Sequence, residues 1–372
     1  MIQSRKILFA IGRLSVGGAE KLLVHQLRVL DRNKFDPYLL ILFSEQKNSF
    51  SDQIGLDNNH WKKLNFKSLF DFKEWFELFR FFKKEKFDAV VTSLFSANLM
   101  VRIAAILLRV PVIISYEHNL YPNKRRWQIW ADWWLAKWTD KIIADSEAVR
   151  KFTAKQESIP IEKFSTMHIP PLLDIGGAKN SDLIRRQLGI PKEAKIILTV
   201  SRLVEEKGHR YLVEAAKKVL ANFPDAYFVI VGWGPLEESL KSQVKSQKLE
   251  NKVLLPGRMD IQDVLPLADI YAEPAVRTDL PVAVMEAMRS GKPIVATNIG
   301  EIPVFVRDGE RGFLVNPKDS DALAKKITQL LKDDVLREKF GNAAEQFVRK
   351  YSLEEYEKRF ENLVIEIHKN NR

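Results

Sequence analysis

Short runs of apolar, β-branched residues alternate along the chain with longer stretches whose apolar positions recur every three or four residues. That alternation is the mark of parallel strands joined by crossover helices. It predicts a first set of strands at Lys6–Ile11, Pro37–Phe43, Asp88–Leu94, Val110–Tyr116 and Lys141–Asp145. A second set is predicted at Lys195–Ser201, Ala226–Gly232, Lys252–Pro256, Asp269–Glu273, Lys292–Thr297 and Gly312–Val315. Helical spacing covers Ala19–Leu30, Ala322–Leu331 and Leu353–His368, among others. Between the two sets, Ile169-Pro-Pro-Leu-Leu-Asp-Ile-Gly-Gly-Ala178 breaks both periodicities and predicts a hinge near Pro170 to Gly177. The expected fold class is α/β, with two doubly wound domains at 1–171 and 172–352 and a final helical segment at 353–372. In open sheets of this kind ligands sit beyond the carboxyl ends of the strands, so the residues that matter belong on strand-to-helix loops facing a central cleft.

Composition narrows the chemistry. At 372 residues the chain exceeds what one core usually supports, and 46% hydrophobic with 29% charged residues describes a globular protein. The absence of cysteine excludes disulfides, thiolate metal sites and cysteine nucleophiles. The apolar stretch Ile7 to Ile11 is too short for a signal sequence, and no uncharged apolar run reaches the roughly 18 residues of a membrane span. A cytoplasmic protein is expected. Charge is unevenly placed: residues 1–171 carry 27 Lys and Arg against 18 Asp and Glu, a surplus of +9 out of the overall +11. Seven of the eight tryptophans, all but Trp233, fall in the same half. Basic charge coinciding with amphipathic aromatics points to an anionic partner surface.

Several loops carry candidate chemistry. Gly12-Arg-Leu-Ser-Val-Gly-Gly-Ala-Glu20 joins the first strand to a helix, and Gly17 and Gly18 would let backbone N–H groups approach an anionic or sugar ligand, or simply make a tight turn. Val200-Ser-Arg-Leu-Val-Glu-Glu-Lys-Gly208 places Arg202 and Lys207 beside a helix start, where two cations can neutralise a leaving diphosphate without a metal. Gly232 and Gly234 bracket another strand-to-helix turn, in which Glu237 occupies the place of the third glycine of a dinucleotide fingerprint, so NAD binding is poorly supported. The stretch Ala268 to Thr297 ends a strand at Glu273, turns through Thr278, Asp279, Leu280 and Pro281, and sets Glu286 on a short helix closed by Gly291. A carboxylate there can accept both hydroxyls of a ribose. The one D-x-D, Asp319-Ser-Asp321, opens a predicted helix and reads as an N-cap, so no metal ligands are assigned.

With these pieces in order, the chain resembles family 4 of the retaining glycosyltransferases, which have the GT-B fold of two Rossmann-like domains. The resemblance extends over nearly all of the chain. It rests on Gly17-Gly18-Ala19-Glu20, Glu117-His118-Asn119, Ala144-Asp-Ser-Glu147, Ser201-Arg-Leu203 with Lys207-Gly208, Val231-Gly-Trp-Gly-Pro235, Pro256-Gly257, Ala268-Asp269, Glu286-Ala-Met288 and Gly312-Phe-Leu-Val315. It implies a nucleoside-diphosphate sugar as co-substrate, with no other cofactor, held by the second domain. In that assignment Glu286 takes the ribose and Arg202 and Lys207 the diphosphate. Gly17, Gly18, Gly232, Gly234, Thr278, Asp279, Leu280 and Pro281 belong to the donor site. His118 meets the transferred sugar, Glu117 and Asn119 face the acceptor in the first domain, and the segment 353–372 returns to that domain as a helix. Two departures stand out. The family usually has a glutamate eight residues before Glu286, where this chain has Thr278, followed by Asp279 in place of glycine. Its usual Pro-Asn after the first domain's last strand is Pro170-Pro171 here.

The acceptor side adds a membrane expectation. Trp127, Trp130, Trp134 and Trp138 recur at helical spacing after Lys124-Arg-Arg126, and Phe72, Trp75, Phe76, Phe79 and Phe82 do so among Lys73, Arg80, Lys83 and Lys84. Either face can pack on the first sheet or lie on the cytoplasmic leaflet of a membrane, where a lipid-linked acceptor would be found. The expected function is transfer of a sugar to a lipid-linked or growing surface glycan, without nucleic acid. The alternatives are a non-catalytic nucleotide-sugar-binding protein, or an epimerase or phosphorylase of the same fold.

Overall fold

A computed structural model of the chain describes residues 4–15, 17–44, 54–173, 181–278 and 280–371. The chain divides into two compact units, Met1–Leu172 together with Leu353–Arg372, and Leu173–Ser352. The division falls at the edge of the proline pair, where neither helix nor strand can continue.

The first unit holds a seven-stranded, all-parallel sheet: β1 (Arg5–Ile11), β2 (Phe35–Ile41), β3 (Trp61–Lys63), β4 (Ala89–Ser93), β5 (Val112–Glu117), β6 (Lys141–Ala144) and β7 (Phe164–Thr166). Their order across the sheet is β3-β2-β1-β4-β5-β6-β7. The second unit holds β8 (Ile196–Val200), β9 (Tyr227–Val231), β10 (Val253–Gly257), β11 (Ile270–Glu273), β12 (Ile294–Thr297) and β13 (Gly312–Val315), ordered β10-β9-β8-β11-β12-β13. Both are the doubly wound topology, with the strand order reversing between β1 and β4 and again between β8 and β11. The central strands are buried on both faces, which is why they read as continuous apolar runs.

Two strands escaped the pattern. β3 and β7 are edge strands of three residues each, too short to show a period. β2 begins two residues earlier than its apolar run suggested, and Pro37 sits inside it, opposite Ile7. The Leu39 N–H bonds the His60 carbonyl on the β3 side. Pro37, two residues away, turns its missing donor to the same side, beyond the end of β3, so no ladder bond is lost.

The terminal helix Leu353–Asn370 packs within the first unit. Phe360 meets Phe9 of β1 at 5.9 Å, Tyr356 bonds the Tyr116 hydroxyl at 3.0 Å, and Glu361 accepts from the Asp31 N–H and from Lys34. Asp319 caps the helix Ser320–Lys332 by accepting from the Ala322 N–H at 2.8 Å, and Asp321 pairs with Lys218, so both acids of the D-x-D are engaged in fixing that helix.

Candidate active site

In the second unit the expected donor residues gather at the point where the strand order reverses. The loop after β8 runs through Ser201 and Arg202 to a 3-10 turn at Glu205–Lys207, and Gly208 then starts the helix His209–Leu220. The loop after β11 runs beside it: the N–H groups of Val276 and Arg277 both bond the Glu206 carbonyl, at 2.8 and 3.1 Å, and Arg277 pairs with the Glu206 carboxylate. Lys207 is thereby held with its Nζ 3.5 Å from Thr278 Oγ1 and 3.8 Å from Glu273 Oε1. Arg202 is exposed, and its guanidinium has no partner among the described residues. One cation is thus fixed and one free to reach, both at the carboxyl end of the sheet.

Gly232 and Gly234 follow β9 with φ of 153° and 157°. A side chain at Gly232 would strike the Ser201 carbonyl, and one at Gly234 would fall within 2.9 Å of the Leu203 backbone. The neighbouring loop approaches them closely: Leu203 N–H bonds the Trp233 carbonyl at 2.9 Å and Leu236 N–H bonds the Leu203 carbonyl at 3.1 Å. These glycines lock the Arg202 loop to the Trp233 turn. Pro281 lies just before the helix Val282–Arg289, and Met285 N–H bonds its carbonyl at 3.0 Å. Leu280 packs against the apolar cluster under that helix, on which Glu286 is buried. Asp279 lies outside the described residues.

A buried histidine underlies this site. His209 Nε2 is 2.9 Å from Ser201 Oγ, while its Nδ1 is buried without a partner. Burial, with the charge of Lys207 adding to it, pushes its pKa down to about 4, so the ring is neutral at pH 7.

In the first unit, strand register brings together residues far apart in sequence. β5 and β6 pair Glu117 with Ala144, so the next residues, His118 and Asp145, stand side by side with Nδ1 and Oδ2 2.8 Å apart. His118 is stacked on Tyr116, ring centroids 5.3 Å apart, and its Nε2 is buried without a partner. Burial works against a charge on this ring. The Asp145 carboxylate, by charge and by hydrogen bond, outweighs it with help from Glu117 and Glu20, and the pKa lies above the usual histidine value.

Glu117, expected on the acceptor, turns inward. It accepts from Asn98 at 3.1 Å and lies 3.7 Å from Lys124, which also pairs with Asp132 at 3.0 Å and with Glu157; Arg102 completes the cluster on Asp132 at 2.6 Å. Three buried carboxylates face two buried cations, and burial with the neighbouring acids pushes Glu157 up to about 8. A carboxylate committed to such a network fixes the loop that carries His118, because freeing it would strand the charges around it. Asn119 is exposed and donates weakly to the Tyr121 hydroxyl at 3.4 Å. Gly17 is in extended backbone against Glu20, whose carboxylate accepts from Ser15 Oγ at 2.7 Å; Gly18 opens the helix Gly18–Val29 with free space around it.

The aromatic faces separate. On the helix Arg126–Ala136 the buried residues are Asp132, Leu135 and Ala136. Trp127, Trp130, Trp133, Trp134 and Trp138 are all exposed, Trp130 the most at 63%. On the helix Phe72–Glu85, Phe82 is buried and Trp75 and Phe79 pack on the core, leaving Phe72 and Phe76 exposed. Among the described residues no helix is long and apolar enough to cross a membrane.

Sequence reasoning did not single out Asp145, Glu273, His209 or Ser201 as site residues. The first was visible as the residue after the strand following His118; Glu273 and His209 were visible only as polar residues in otherwise apolar positions.

Two family models match the chain, Glycosyltransferase Family 4 over residues 16–169 and Glycosyl transferases group 1 over residues 180–347. A galactosyltransferase of Escherichia coli, UDP-Gal:alpha-D-GlcNAc-diphosphoundecaprenol alpha-1,3-galactosyltransferase, is 28% identical over 311 residues, 80% of this chain and 80% of its own length. A D-inositol 3-phosphate glycosyltransferase of Corynebacterium urealyticum is 30% identical over 58% of this chain and 52% of its own. Among solved structures, a glycosyltransferase of Rickettsia africae superposes with a TM-score of 0.84 at 20% identity over 99% of this chain and all of that one. HepE of Anabaena, in complex with UDP, gives 0.81 at 21% identity over 97% and 100%. The chain belongs to the family 4 glycosyltransferases, with two Rossmann-like domains of the GT-B fold.

Proposed function

We propose that this glycosyltransferase moves a sugar from a nucleoside-diphosphate sugar to a lipid-linked or growing surface glycan, retaining the anomeric configuration and using no metal. The observation that carries the reading is the placing of Lys207 and Arg202 where the strand order of the second unit reverses, with Glu286 on the adjoining helix. Two cations there can take up the charge that develops on a departing diphosphate, which is the service a metal would otherwise provide. Glu286 takes the ribose. The leaving phosphate, held by the same cations, receives the acceptor's proton on the face it vacates, so no protein nucleophile is needed. In this reading the hydrogen-bonded His118–Asp145 pair of the first unit serves the transferred sugar, and Asn119 is available to the acceptor.

A UDP complex of HepE and a UDP-galactose-using relative support a uridine donor. The undecaprenol-linked acceptor in that relative's name supports a lipid carrier. The exposed tryptophans beside Arg125 and Arg126 support docking on an anionic cytoplasmic leaflet, since rings of this kind settle at headgroup level while the cations meet phosphate.

The test is a panel of nucleotide sugars incubated with and without membrane lipid extract, read by release of the nucleoside diphosphate. Release from one donor that rises with lipid is expected, and Lys207→Ala or Glu286→Ala should lower it about a hundredfold with the fold intact. Unchanged turnover in both variants overturns the site. A second reading, donor binding without transfer, is favoured by Thr278 standing where the family has a carboxylate; tight nucleotide binding with no release from any donor would establish it.

A further inference from the structure

We propose that Glu273 is a positioning residue of the donor site, holding Lys207 for the diphosphate and taking up a proton when Lys207 turns to it. This rests on the donor reading above. Glu273 is the last residue of β11, buried to 3% exposure at the strand next to β8. A carboxylate is not tolerated there without a cation. The cation is Lys207, 3.8 Å from Oε1, and that oxygen has no hydrogen bond.

Lys207 reaches this place from the loop after β8. On its other side, among the described residues, it has the Thr278 hydroxyl at 3.5 Å, in the position where a family carboxylate is missing. The strand end therefore sets a buried carboxylate beneath Lys207. The geometry is too long for a closed ion pair and leaves the ammonium donors available to a ligand.

Among the described residues the groups facing Glu273 are Lys207 and, from its own strand, the Tyr271 hydroxyl, which also bonds Val200 of β8; Glu286 lies near that hydroxyl. Burial already pushes the Glu273 carboxyl up, and Lys207 pulls it back. A diphosphate drawing the ammonium away removes that restraint, and the carboxylate, with an unpartnered oxygen, gains a proton.

The experiment is calorimetric titration of UDP and of uridine in two buffers of different ionisation enthalpy, with the wild type, Lys207→Ala and Glu273→Gln, each checked by its thermal midpoint. Glu273→Gln is expected to weaken UDP binding about tenfold and to leave uridine binding unchanged, because the lost interaction acts only through the diphosphate. The wild type should take up more protons than Glu273→Gln on binding UDP, a difference that cancels UDP's own proton. Glu273→Gln that binds UDP as the wild type does, weakens UDP and uridine alike, or takes up the same protons overturns this proposal and leaves the donor reading standing. A wild type that binds no UDP while binding no other nucleoside diphosphate overturns both. Should Glu273→Gln not fold, the same titration on Lys207→Met decides: proton uptake persisting without the lysine overturns the proposal.

Discussion

Replacing His209 with glutamine should flatten the acid sensitivity of the second unit. His209 is buried at the start of the helix His209–Leu220, with Nε2 2.9 Å from Ser201 Oγ and Nδ1 unpartnered. Burial first, and the nearby Lys207 charge second, lower its pKa from 6.5 to about 4. Between those two values the unfolded chain binds a proton that the folded chain refuses, so stability falls as the pH drops. The contribution is fully present above the unfolded value of 6.5 and is lost as the pH falls through about 4. At about 1.4 kcal/mol per unit, acidification to pH 5 costs about 2 kcal/mol, and the whole window about 3 kcal/mol. His209→Gln retains an amide in reach of Ser201 and has no proton to bind.

The assay is native-state hydrogen exchange of amides in β8, β9 and the helix His209–Leu220 at pH 7 and pH 5, corrected for intrinsic rates, because it reads the second unit by itself. The wild type should lose about 2 kcal/mol more protection than His209→Gln over that interval. Equal losses in the two proteins would refute the reasoning, since the acid sensitivity would then come from elsewhere.

Two further outcomes follow from buried and exposed groups of the first unit. Glu357 accepts from Gln26 at 3.3 Å but leaves its other oxygen unpartnered, and burial, with Glu361 nearby, pushes its pKa up from 4.5 to about 8. The wild type therefore loses stability as the pH rises from 4.5 to 8; Glu357→Gln should be more stable by on the order of 2–4 kcal/mol at pH 8, with the gap in urea denaturation closing toward pH 5. A gap independent of pH contradicts this. For the membrane reading, Trp130→Ala with Trp138→Ala should reduce sedimentation with phosphatidylglycerol vesicles about tenfold, and salt should reduce it further; unchanged binding would remove this helix from the docking surface.

The alternation of apolar runs and helical periods was sufficient to place both sheets, because central parallel strands are buried on both faces and must be apolar throughout. It also placed the strand-end loops that carry Arg202, Lys207 and Thr278, since in a doubly wound sheet the chain leaves each strand at the carboxyl edge, where ligands of such sheets bind. The Asp319 cap was equally legible, being a contact over three residues. Edge strands β3 and β7 left no such mark, because three residues cannot display a period.

What the tertiary structure decided lies in contacts between distant positions. Asp145 became the partner of His118 through the register of β5 on β6, and Glu117 turned inward because Asn98, Lys124, Asp132 and Glu157 converge on it from separate elements. Gly232 and Gly234 were legible as a turn, but only the packed loop at Ser201–Leu203 showed what approaches them. Lys207 was legible as a cation, whereas its placing between Glu273 and Thr278 depends on two strand-end loops meeting. Local pattern determines which segments form strands, helices and loops, since those follow from periods and caps within a few residues. Electrostatic character depends on burial and on neighbours brought from far along the chain, and those exist only once the sheet has set its register.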